Sequence, residues 1–491
     1  MILENNLKES TSENYIEKGH KSFSVTLPKI ITAFLWFLFI GNLVYLMYFF
    51  PNIREWQQGT IFRINGFTVL IWTTVTFFGA LVGSYAGNYL NGFKYHTRFM
   101  LRSLGFTLSV MSFVMSDHVI LFLISWLLMG FFMSRLIGID SSWGDAREAS
   151  RFTQRYFFAG TVFLSAGVLM LAFESGKFTI SGLVSSLADL PQYIVLIAAL
   201  FIITAAIVQS AIYPFHRWLL SAMTAPTPAS ALMHAGFVNG AGILLALFST
   251  LLFASNTLDV LFIIGGLTAI IAQFTKLLQV NVKQKLACST IAQMGFMIMQ
   301  CGLGFFNAAV VHLILHGFYK AYLFLSCGDE IAHANPQKPP QISIKPFQAL
   351  VVLFFGFLGA VLFTLLTGKG TALDSGIFLT LIVAITVGQA TYNIVKQKSL
   401  SIFQKITLPT LLFLAGIGIY ALLYNGVTAL MADMPMVAVP LPLSVIQIVF
   451  GVVFLIGFFI MKLGIYRRIP WLYVKLWNLS QPYKKSILLH K

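Results

Sequence analysis

The sequence predicts an all-α polytopic membrane protein, and its composition and apolar pattern both support this fold class. Of the 491 residues, 58% are hydrophobic and 10% are charged, whereas soluble domains contain about 25% charged residues. Apolar runs of the ~20 residues that a helix needs to cross a bilayer recur almost from end to end. Because open sheet edges are not tolerated in lipid, we expect these runs to be helices. A large soluble protein with one apolar core is excluded.

The chain divides into three predicted regions. Residues 1–26 form a polar N-terminal tail, residues 27–463 a transmembrane domain, and residues 464–491 a basic and aromatic C-terminal segment. The tail lacks the basic start, short apolar core and small-residue cleavage site of a signal peptide. We therefore expect the spans themselves to direct insertion into the membrane.

About fourteen membrane spans are predicted, and the polar loops between them are too short for a soluble domain. To within a few residues at each end, the spans are Leu27–Phe50, Ile64–Leu90, Arg98–Met115, His118–Gly138, Phe157–Phe173, Tyr193–Tyr213, Ala229–Phe253, Val260–Val280, Leu286–Leu303, Ala308–Cys327, Phe347–Leu366, Ile377–Val395, Ile402–Tyr424 and Val437–Met461.

Two stretches combine proline, glycine or charge and interrupt the apolar pattern. The first lies between Gln209 and Pro228, where Pro214 is expected to end a helix and Pro226 and Pro228 to begin the next one. Transporters use broken helices of this kind at their ion sites. The second, residues 367–374 (TGKGTALD), is either a second break or a plain loop, and the plain loop is favoured.

The charge of the chain agrees with a membrane location. Its net charge is +16, and basic loops anchor spans and contact anionic lipid; no nucleic-acid-binding motif accompanies it. Lysine and arginine occur in loops on both sides, so we expect only a weak indication of orientation. The basic and aromatic C-terminal segment is expected to lie along the membrane interface or to bind a partner.

The strongest candidate site is the series His312, His316 and Lys320. Steps of four residues place all three side chains on one stripe of a single helix. A charge in mid-membrane costs about 2.5–3.5 kcal/mol on insertion scales, so such residues mark ion pathways. Lys320 can load and release a proton, and the two histidines can relay it. The alternative is a lysine that reaches the headgroups, beside two histidines that only hydrogen-bond to backbone carbonyls.

Three further residues are candidates to extend this pathway. His234 lies just inside the helix that begins near Pro228, and either relays protons or packs. Lys283 lies with Lys285 at the start of a span, and one of these two lysines is expected to face inward toward His312 while the other lies at the membrane interface. Lys276 lies within an apolar stretch, where a buried relay and a lysine that reaches the headgroups are both possible.

No residue pattern indicates covalent chemistry. Paired carboxylates for hydrolysis, a phosphate-binding loop and a Cys/His cluster suited to zinc are not found in the sequence. We therefore expect a transporter subunit rather than an enzyme, with no catalytic residue, no metal ligand and no cofactor of its own.

Several of these residues lie in motifs that resemble a known family. Residues 210–219 (SAIYPFHRWL), 225–235 (APTPASALMHA) and 289–296 (STIAQMGF) are similar to motifs of the antiporter-like subunits of respiratory complex I and Mrp-type antiporters. Together with Lys283 and the His312, His316 and Lys320 series, the resemblance covers about Asp117 to Gly328. It implies two inverted five-helix halves and proton movement along buried lysine, histidine and glutamate residues.

Two positions depart from this family. Its members carry glutamate after a tryptophan in the span that follows an aspartate, where this chain has Leu127 after Trp126. They also carry lysine before the Ser-Ala-Gln motif, where this chain has Gln209 before Ser210. The loss of this lysine–glutamate pair puts half of the family's usual proton pathway in doubt.

Within the family, the sequences of residues 289–304, 215–220 and 234–240 look most like those of the membrane subunits of Dab-type inorganic-carbon complexes. That resemblance implies a DabA-like soluble zinc protein as partner, related to β-carbonic anhydrase, and the bacterial inner (cytoplasmic) membrane as location. A flow of protons or sodium would then drive one-way hydration of CO2 to bicarbonate. The alternatives are an Mrp-type cation/proton antiporter subunit and a proton-pumping subunit of an NADH:quinone oxidoreductase.

Overall fold

A computed structural model describes residues 23–327, 346–370, 372–395, 400–463 and 465–483. Most of the predicted tail (residues 1–22) and the end of the predicted C-terminal segment (residues 484–491) lie outside the described residues, as do residues 328–345, 371, 396–399 and 464. In the described part, helices account for nearly all of the regular structure, as the apolar runs predict.

The first half of the fold begins with α1 (Phe23–Phe49) and a two-stranded hairpin, which the sequence did not predict. The hairpin pairs β1 (Trp56–Gln58) with β2 (Phe62–Ile64) in antiparallel register. The helices that follow are α2 (Gly66–Tyr89), α3 (His96–Met115), α4 (Val119–Ile137), α5 (Gly144–Ser175), α6 (Ile180–Ser185), α7 (Gln192–Gln209), α8 (Arg217–Ser221), α9 (Thr227–Leu232), α10 (Gly240–Leu247) and α11 (Ser249–Ala254).

The second half contains the remaining described helices. They are α12 (Leu258–Leu278), α13 (Val282–Gly302), α14 (Phe306–Leu325), α15 (Pro346–Thr367), α16 (Gly376–Val395), α17 (Ile402–Leu430), α18 (Val445–Leu463) and α19 (Pro470–Leu479). Each predicted span overlaps helical structure, although the last one, Val437–Met461, begins eight residues before its helix. Ten helical segments among the described residues are long and apolar enough to cross a membrane, so the total of about fourteen spans stays a prediction.

Helices α12 and α13 pack against each other unusually closely because glycines face the contact. A Cβ atom added at Gly265 would come 2.5 Å from the backbone nitrogen of Met299, and one at Gly295 would come 2.7 Å from that of Ala269. Small residues let membrane helices approach at backbone distance. This contact matters for the site because α13 carries Leu286 and Ser289, which bind Lys320.

Replacing Gly295 by valine should therefore destabilise the protein. The new side chain would meet backbone atoms that cannot move aside, and overpacking costs about 1–3 kcal/mol or more. The matched control is Gly416→Val in α17, where no atom lies within 4 Å of an added Cβ. Detergent-solubilised yield and melting temperature should fall for Gly295→Val and stay near wild type for Gly416→Val. Equal behaviour of the two variants would contradict the close helix contact.

The loops of the molecule fall into two sets, one at each end of the helices. At one end, Arg102 donates to the carbonyl of Arg135 at 2.7 Å. At the other end, Ser249 donates to the carbonyl of Pro435, and Ser375 donates to that of Leu303, both at 2.8 Å. These contacts agree with the alternating direction of successive helices.

Basic residues occur at both ends, as expected from the sequence, but the two ends differ strongly in charge and so indicate an orientation more clearly than expected. Among residues whose side chains are described, fifteen basic and three acidic residues lie at the end that we call the basic end, and four basic and seven acidic residues lie at the opposite end. The basic end carries Lys29, Lys94, Arg98, Arg102, Arg135, Arg147, Arg151, Arg155, Arg217, Lys276, Lys283, Lys285, Lys405, Arg468, Lys475, Asp140, Asp145 and Glu148; the opposite end carries Arg54, Arg63, Lys177, Lys369, Glu55, Asp117, Glu174, Asp189, Asp259, Asp374 and Asp433.

Candidate functional site

The three residues of the predicted stripe share one inward face of α14. Lys320 is fully buried, with an exposed fraction of 0%, and His316 is 5% exposed. His312 is half-buried, and its ring lies nearly parallel to that of His316, with centroids 6.2 Å apart. The stripe therefore runs through the interior of the protein.

Lys320 does not reach toward the surface, which removes the alternative of a lysine that extends to the headgroups. Its Nζ donates to the carbonyl of Leu286 at 3.0 Å and to the Ser289 hydroxyl at 2.9 Å. Among the described residues, Lys320 has no carboxylate partner. The ion pair found there joins Arg63 to Glu55 at 2.8 Å. A lysine held by two neutral acceptors can lose and regain a proton, because no fixed counter-charge holds it in one state.

His234 joins the stripe from a different helix. It lies in a π-helical turn, Met233–Phe237, between α9 and α10, and such turns recur at functional sites. Its ring stacks on Phe324 of α14 at 4.3 Å, and it is an electrostatic neighbour of Lys320 and His316. The fold therefore brings together residues that are about 80 positions apart in the sequence.

The histidine nitrogens are available for proton transfer. Both ring nitrogens of His234 and His316, and Nε2 of His312, are buried without a hydrogen-bond partner among the described protein groups. Buried polar atoms nearly always have a partner, so each exception calls for an explanation. A chain of imidazoles that exchange protons with one another and with Lys320 is a physical reason for leaving these nitrogens unpaired.

The two other candidate lysines lie at the basic end of the stripe. Lys283, in the first turn of α13, is half-buried and donates from Nζ to the carbonyl of Ala225 at 2.8 Å. It is an electrostatic neighbour of His234, and since Lys285 is exposed, Lys283 is the one of these two lysines that faces inward. Lys276, in the last turn of α12, is also half-buried and is an electrostatic neighbour of Lys320.

The predicted helix break is present. Helix α7 ends at Gln209, Pro214 lies in the turn that follows, Pro226 is the N-cap of α9 and Pro228 lies in its first turn. Side chains satisfy the carbonyls exposed near the break: Gln209 Nε2 donates to Phe237 at 3.3 Å and Trp218 Nε1 to Val208 at 2.8 Å. These hydrogen bonds stabilise the helix break, which is therefore a defined structural element of the candidate site.

The two positions that depart from the family have different surroundings. Gln209 is buried, with 2% exposure, whereas Leu127 is 39% exposed on the outer face of α4 beside exposed Ile124 and Phe131. In this chain, position 127 is part of an apolar surface suited to lipid or a neighbouring subunit. It contributes no polar group to the interior.

One inward-facing lysine was not identified from the sequence. The described residues between Thr367, where α15 ends, and Gly376, where α16 begins, form a loop, as favoured. Lys369 folds inward from this loop: its Nζ lies 4.2 Å from the ring centre of Phe305 and 5.7 Å from that of Tyr424. Aromatic faces attract cations. Phe305 directly precedes α14, so a lysine lies at the opposite end of the helix that carries the stripe. The sequence feature that could have identified Lys369 is its position between two glycines at the end of an apolar run.

A cavity of about 420 Å³ lies beside His312. Most of its lining is apolar, but Gln300, His312, Thr386 and Tyr420 also line it. Gln300 Oε1 is buried without a protein partner among the described residues. The cavity continues from His312 toward α16 and α17.

The described part of the C-terminal segment packs on the chain's own helix break. His216 Nε2 lies 2.8 Å from the carbonyl of Leu479, at the end of α19. Gln279 Nε2 donates to the carbonyl of Ser480 at 2.9 Å, and Tyr483 stacks on Phe152 at 4.5 Å. We expected this segment to lie along the membrane interface or to bind a partner. Its contact with the helix break of the same chain was not expected.

A helical bundle with a broken helix, a buried lysine and inward-facing histidines defines the class of antiporter-like membrane subunits. Residues 116–338 match the family model of the NADH:quinone oxidoreductase/Mrp antiporter transmembrane domain. The fold is similar to that of the Mrp complex from Dietzia sp. DQ12-45-1b, with a TM-score of 0.62 and 19% identity over 91% of this chain and 54% of that one. It is also similar to the archaeal membrane-bound sulfane sulfur reductase, with a TM-score of 0.54 and 19% identity over 93% and 95%. The chain belongs to this antiporter-like family and is a multi-pass membrane protein.

Among its relatives are the probable inorganic carbon transporter subunits DabB of Bacillus anthracis and Bacillus subtilis (strain 168). The first is 32% identical over 67% of this chain and 64% of its own length. The second is 35% identical over 57% of this chain and 55% of its own length. NADH-quinone oxidoreductase subunit L of Escherichia coli (strain K12) is 30% identical over 63% and 52%. The chain thus matches less than two thirds of the length of these relatives.

Proposed function

We propose that this chain is the cation-conducting membrane subunit of an inorganic-carbon accumulation complex. The observation that carries the proposal is the buried stripe of Lys320, His316 and His312, supported by His234 and by the similarity to DabB subunits. The ion is a proton, since the stripe offers titratable nitrogens and no carboxylate at its lysine. This chain then supplies ion movement, and a DabA-like soluble zinc protein supplies the hydration of CO2.

The pathway runs along α14 from one membrane surface to the other. Lys276 and Lys283 lie at the basic end, Lys320, His316 and His312 follow along the helix, and Lys369 lies beyond them at the opposite end, beside Phe305. The 20 residues of α14 span about 30 Å at 1.5 Å per residue, the thickness of the hydrocarbon core. One helix can therefore organise the whole crossing.

The surroundings of Leu127 and Gln209 favour this function over a proton-pumping subunit of a quinone oxidoreductase. Relatives of that kind use an additional lysine–glutamate pair, as the resemblance implies. Here one position is an uncharged amide bonded to a carbonyl, and the other is an outward leucine. A single charged pathway suits a subunit that lets ions flow down a gradient to drive its partner.

Complementation of a carbonic-anhydrase-deficient bacterium tests the proposal. Co-expression of this chain with a DabA-like protein should yield a co-purifying complex and restore growth in air, and an uncoupler should abolish the rescue. Rescue by this chain alone, or rescue that persists when the gradient is collapsed, would show the proposed coupling to be wrong.

We also propose that the basic end faces the cytoplasm of a bacterial inner membrane, because positively charged loops are retained on that side. The single substitutions Lys475→Cys and Lys177→Cys test this orientation, because Lys475 lies at the basic end and Lys177 at the opposite end. The native Cys288, Cys301 and Cys327 are buried. A membrane-impermeant maleimide added to intact spheroplasts should label the cysteine at position 177 and leave that at position 475 unlabelled until the cells are opened. The reverse pattern would mean the opposite orientation.

A further inference from the structure

Three arginines at the basic end, none of them part of the proposed pathway, lie close together. Arg98 and Arg102 are four residues apart in the first two turns of α3, and Arg135 lies in the last turn of α4. Arg102 Nη1 donates to the carbonyl of Arg135 at 2.7 Å, and Arg98 is an electrostatic neighbour of Arg102. We call these three residues the arginine cluster.

No carboxylate offsets the arginine cluster among the residues that the structure describes, where the ion pair that is found joins Arg63 to Glu55. The acidic residue of the adjoining loop, Asp140, accepts hydrogen bonds from the backbone nitrogen and the hydroxyl of Ser142 instead. Each guanidinium group presents several N–H donors in a fork that fits two oxygens of a carboxylate or phosphate. The cluster is therefore suited to an anion that offers several oxygens.

The arginine cluster lies at the level of the lipid headgroups. Helices α3 and α4 are joined by a short turn at the opposite end, so their distances along the membrane can be measured from that turn. At about 1.5 Å per residue, Arg98 and Arg102 lie about 26 and 20 Å from Met115 along α3. Along α4, Arg135 lies about 24 Å from Val119. The hydrocarbon core is about 30 Å thick, so these long side chains extend from its edge into the headgroup layer.

Exposed apolar side chains continue from the arginine cluster along α3 and α4 toward the centre of the bilayer. Arg135 itself lies over the ring of Phe131, 5.2 Å from its centre. The two helices adjoin closely because an added Cβ atom at Gly105 would come 2.6 Å from the ring of Phe132. Spacings of three, four and seven residues keep the exposed side chains on one face of each helix, and all are 40–48% exposed: Leu101 and Leu108 on α3, and Ile124, Leu128 and Phe131 on α4.

We propose that the arginine cluster and the apolar surface below it are a binding site for an anionic phospholipid. The phosphate oxygens accept from the guanidinium groups, and the acyl chains lie along the exposed faces of α3 and α4. A zwitterionic phospholipid fits less well, because its ammonium group would lie beside the arginines. An acidic segment of a soluble partner fits the charge but not the apolar surface at membrane depth. The inference needs only the membrane location of the chain and is independent of the proposed function.

Native mass spectrometry of the delipidated chain in detergent tests the site, with dioleoylphosphatidylglycerol and dioleoylphosphatidylethanolamine as probes. The wild-type chain should bind the anionic lipid more tightly. The double variant Arg98→Gln with Arg135→Gln leaves the hydrogen bond of Arg102 to a backbone carbonyl in place. It should lose about tenfold or more of this affinity, because each basic group near an anionic headgroup contributes to binding. The matched control, Arg147→Gln with Arg151→Gln, removes the same charge from exposed arginines of α5 at the same end and should keep the wild-type affinity.

Melting temperatures give a second readout. Phosphatidylglycerol should raise the melting temperature of the wild-type chain and of the control, since a ligand that binds the folded state stabilises it, and should raise that of the Arg98→Gln, Arg135→Gln variant less. Unchanged affinity in that variant, or an equal loss in the control, would overturn the site. An equal rise with inorganic phosphate at the same concentration would show an adventitious anion site and overturn the lipid assignment. Unchanged lipid affinity together with loss of a co-purifying soluble partner would show a protein docking surface instead.

Discussion

Replacement of Lys320 by alanine should abolish coupled ion movement while the protein still inserts and folds. The side chain is fully buried and bonded only to the Leu286 carbonyl and the Ser289 hydroxyl. A buried charge without an opposite charge costs energy to keep, so its removal should not weaken the fold. Proton flux into vesicles should fall to the level of vesicles that lack the complex.

Two further variants make the Lys320 prediction sharper. Lys320→Met keeps the volume of the side chain and should be as inactive as alanine, with a melting temperature at or above that of wild type. Lys475→Ala, which removes an exposed lysine from α19, should keep wild-type flux. Normal flux or normal growth in air with Lys320→Ala, at wild-type protein level, would contradict the assigned role.

Replacement of His316 by glutamine should have the next largest effect. The ring lies between Lys320 and His312, and both of its nitrogens are without a protein partner among the described residues. Glutamine fills a similar space but does not titrate, so we expect a loss of flux of about 10²-fold, as for a positioned proton-transfer group. The loss should appear in stopped-flow measurements of vesicle acidification.

The histidine prediction has a matched control within the chain. His96→Gln changes a histidine at the start of α3, at the basic end and away from the stripe, and should leave flux within about twofold of wild type. If His316→Gln and His96→Gln gave the same rate, the relay along α14 would be wrong.

The sequence predicted the parts of the fold that depend on local pattern. Apolar runs located the spans because the bilayer fixes the length of a helix that crosses it. The four-residue spacing placed His312, His316 and Lys320 on one face because an α-helix has 3.6 residues per turn. Proline located the helix break because it cannot donate the hydrogen bond that a helix interior requires.

The parts that were missed depend on tertiary structure. His234 was a candidate from the sequence, but its contact with the stripe was not predicted, because it depends on a π-helical turn and on the packing of α14 that bring its ring onto Phe324. Lys369 turns inward because Phe305 and Tyr424, distant in sequence, present their rings to it. The docking of Leu479 against His216 joins positions 263 residues apart. No local pattern encodes such contacts.

The unequal distribution of charged residues between the two ends also could not be predicted from the sequence. The net charge is the same however the loops are arranged, and only the direction of each helix assigns a basic residue to one surface or the other. With the helices in place, basic residues gather at the end that holds Lys276, Lys283 and His216. The entrance of the proposed pathway therefore lies on the basic end.

The most direct test of the account is the rate of bicarbonate formation by the purified complex in proteoliposomes, with and without an imposed proton gradient. A membrane potential of 100 mV supplies about 2.3 kcal/mol per charge moved. We expect the initial rate to rise with the gradient in the wild-type complex and to show no such rise in the Lys320→Ala complex. A wild-type rate that is the same with and without the gradient would contradict the account.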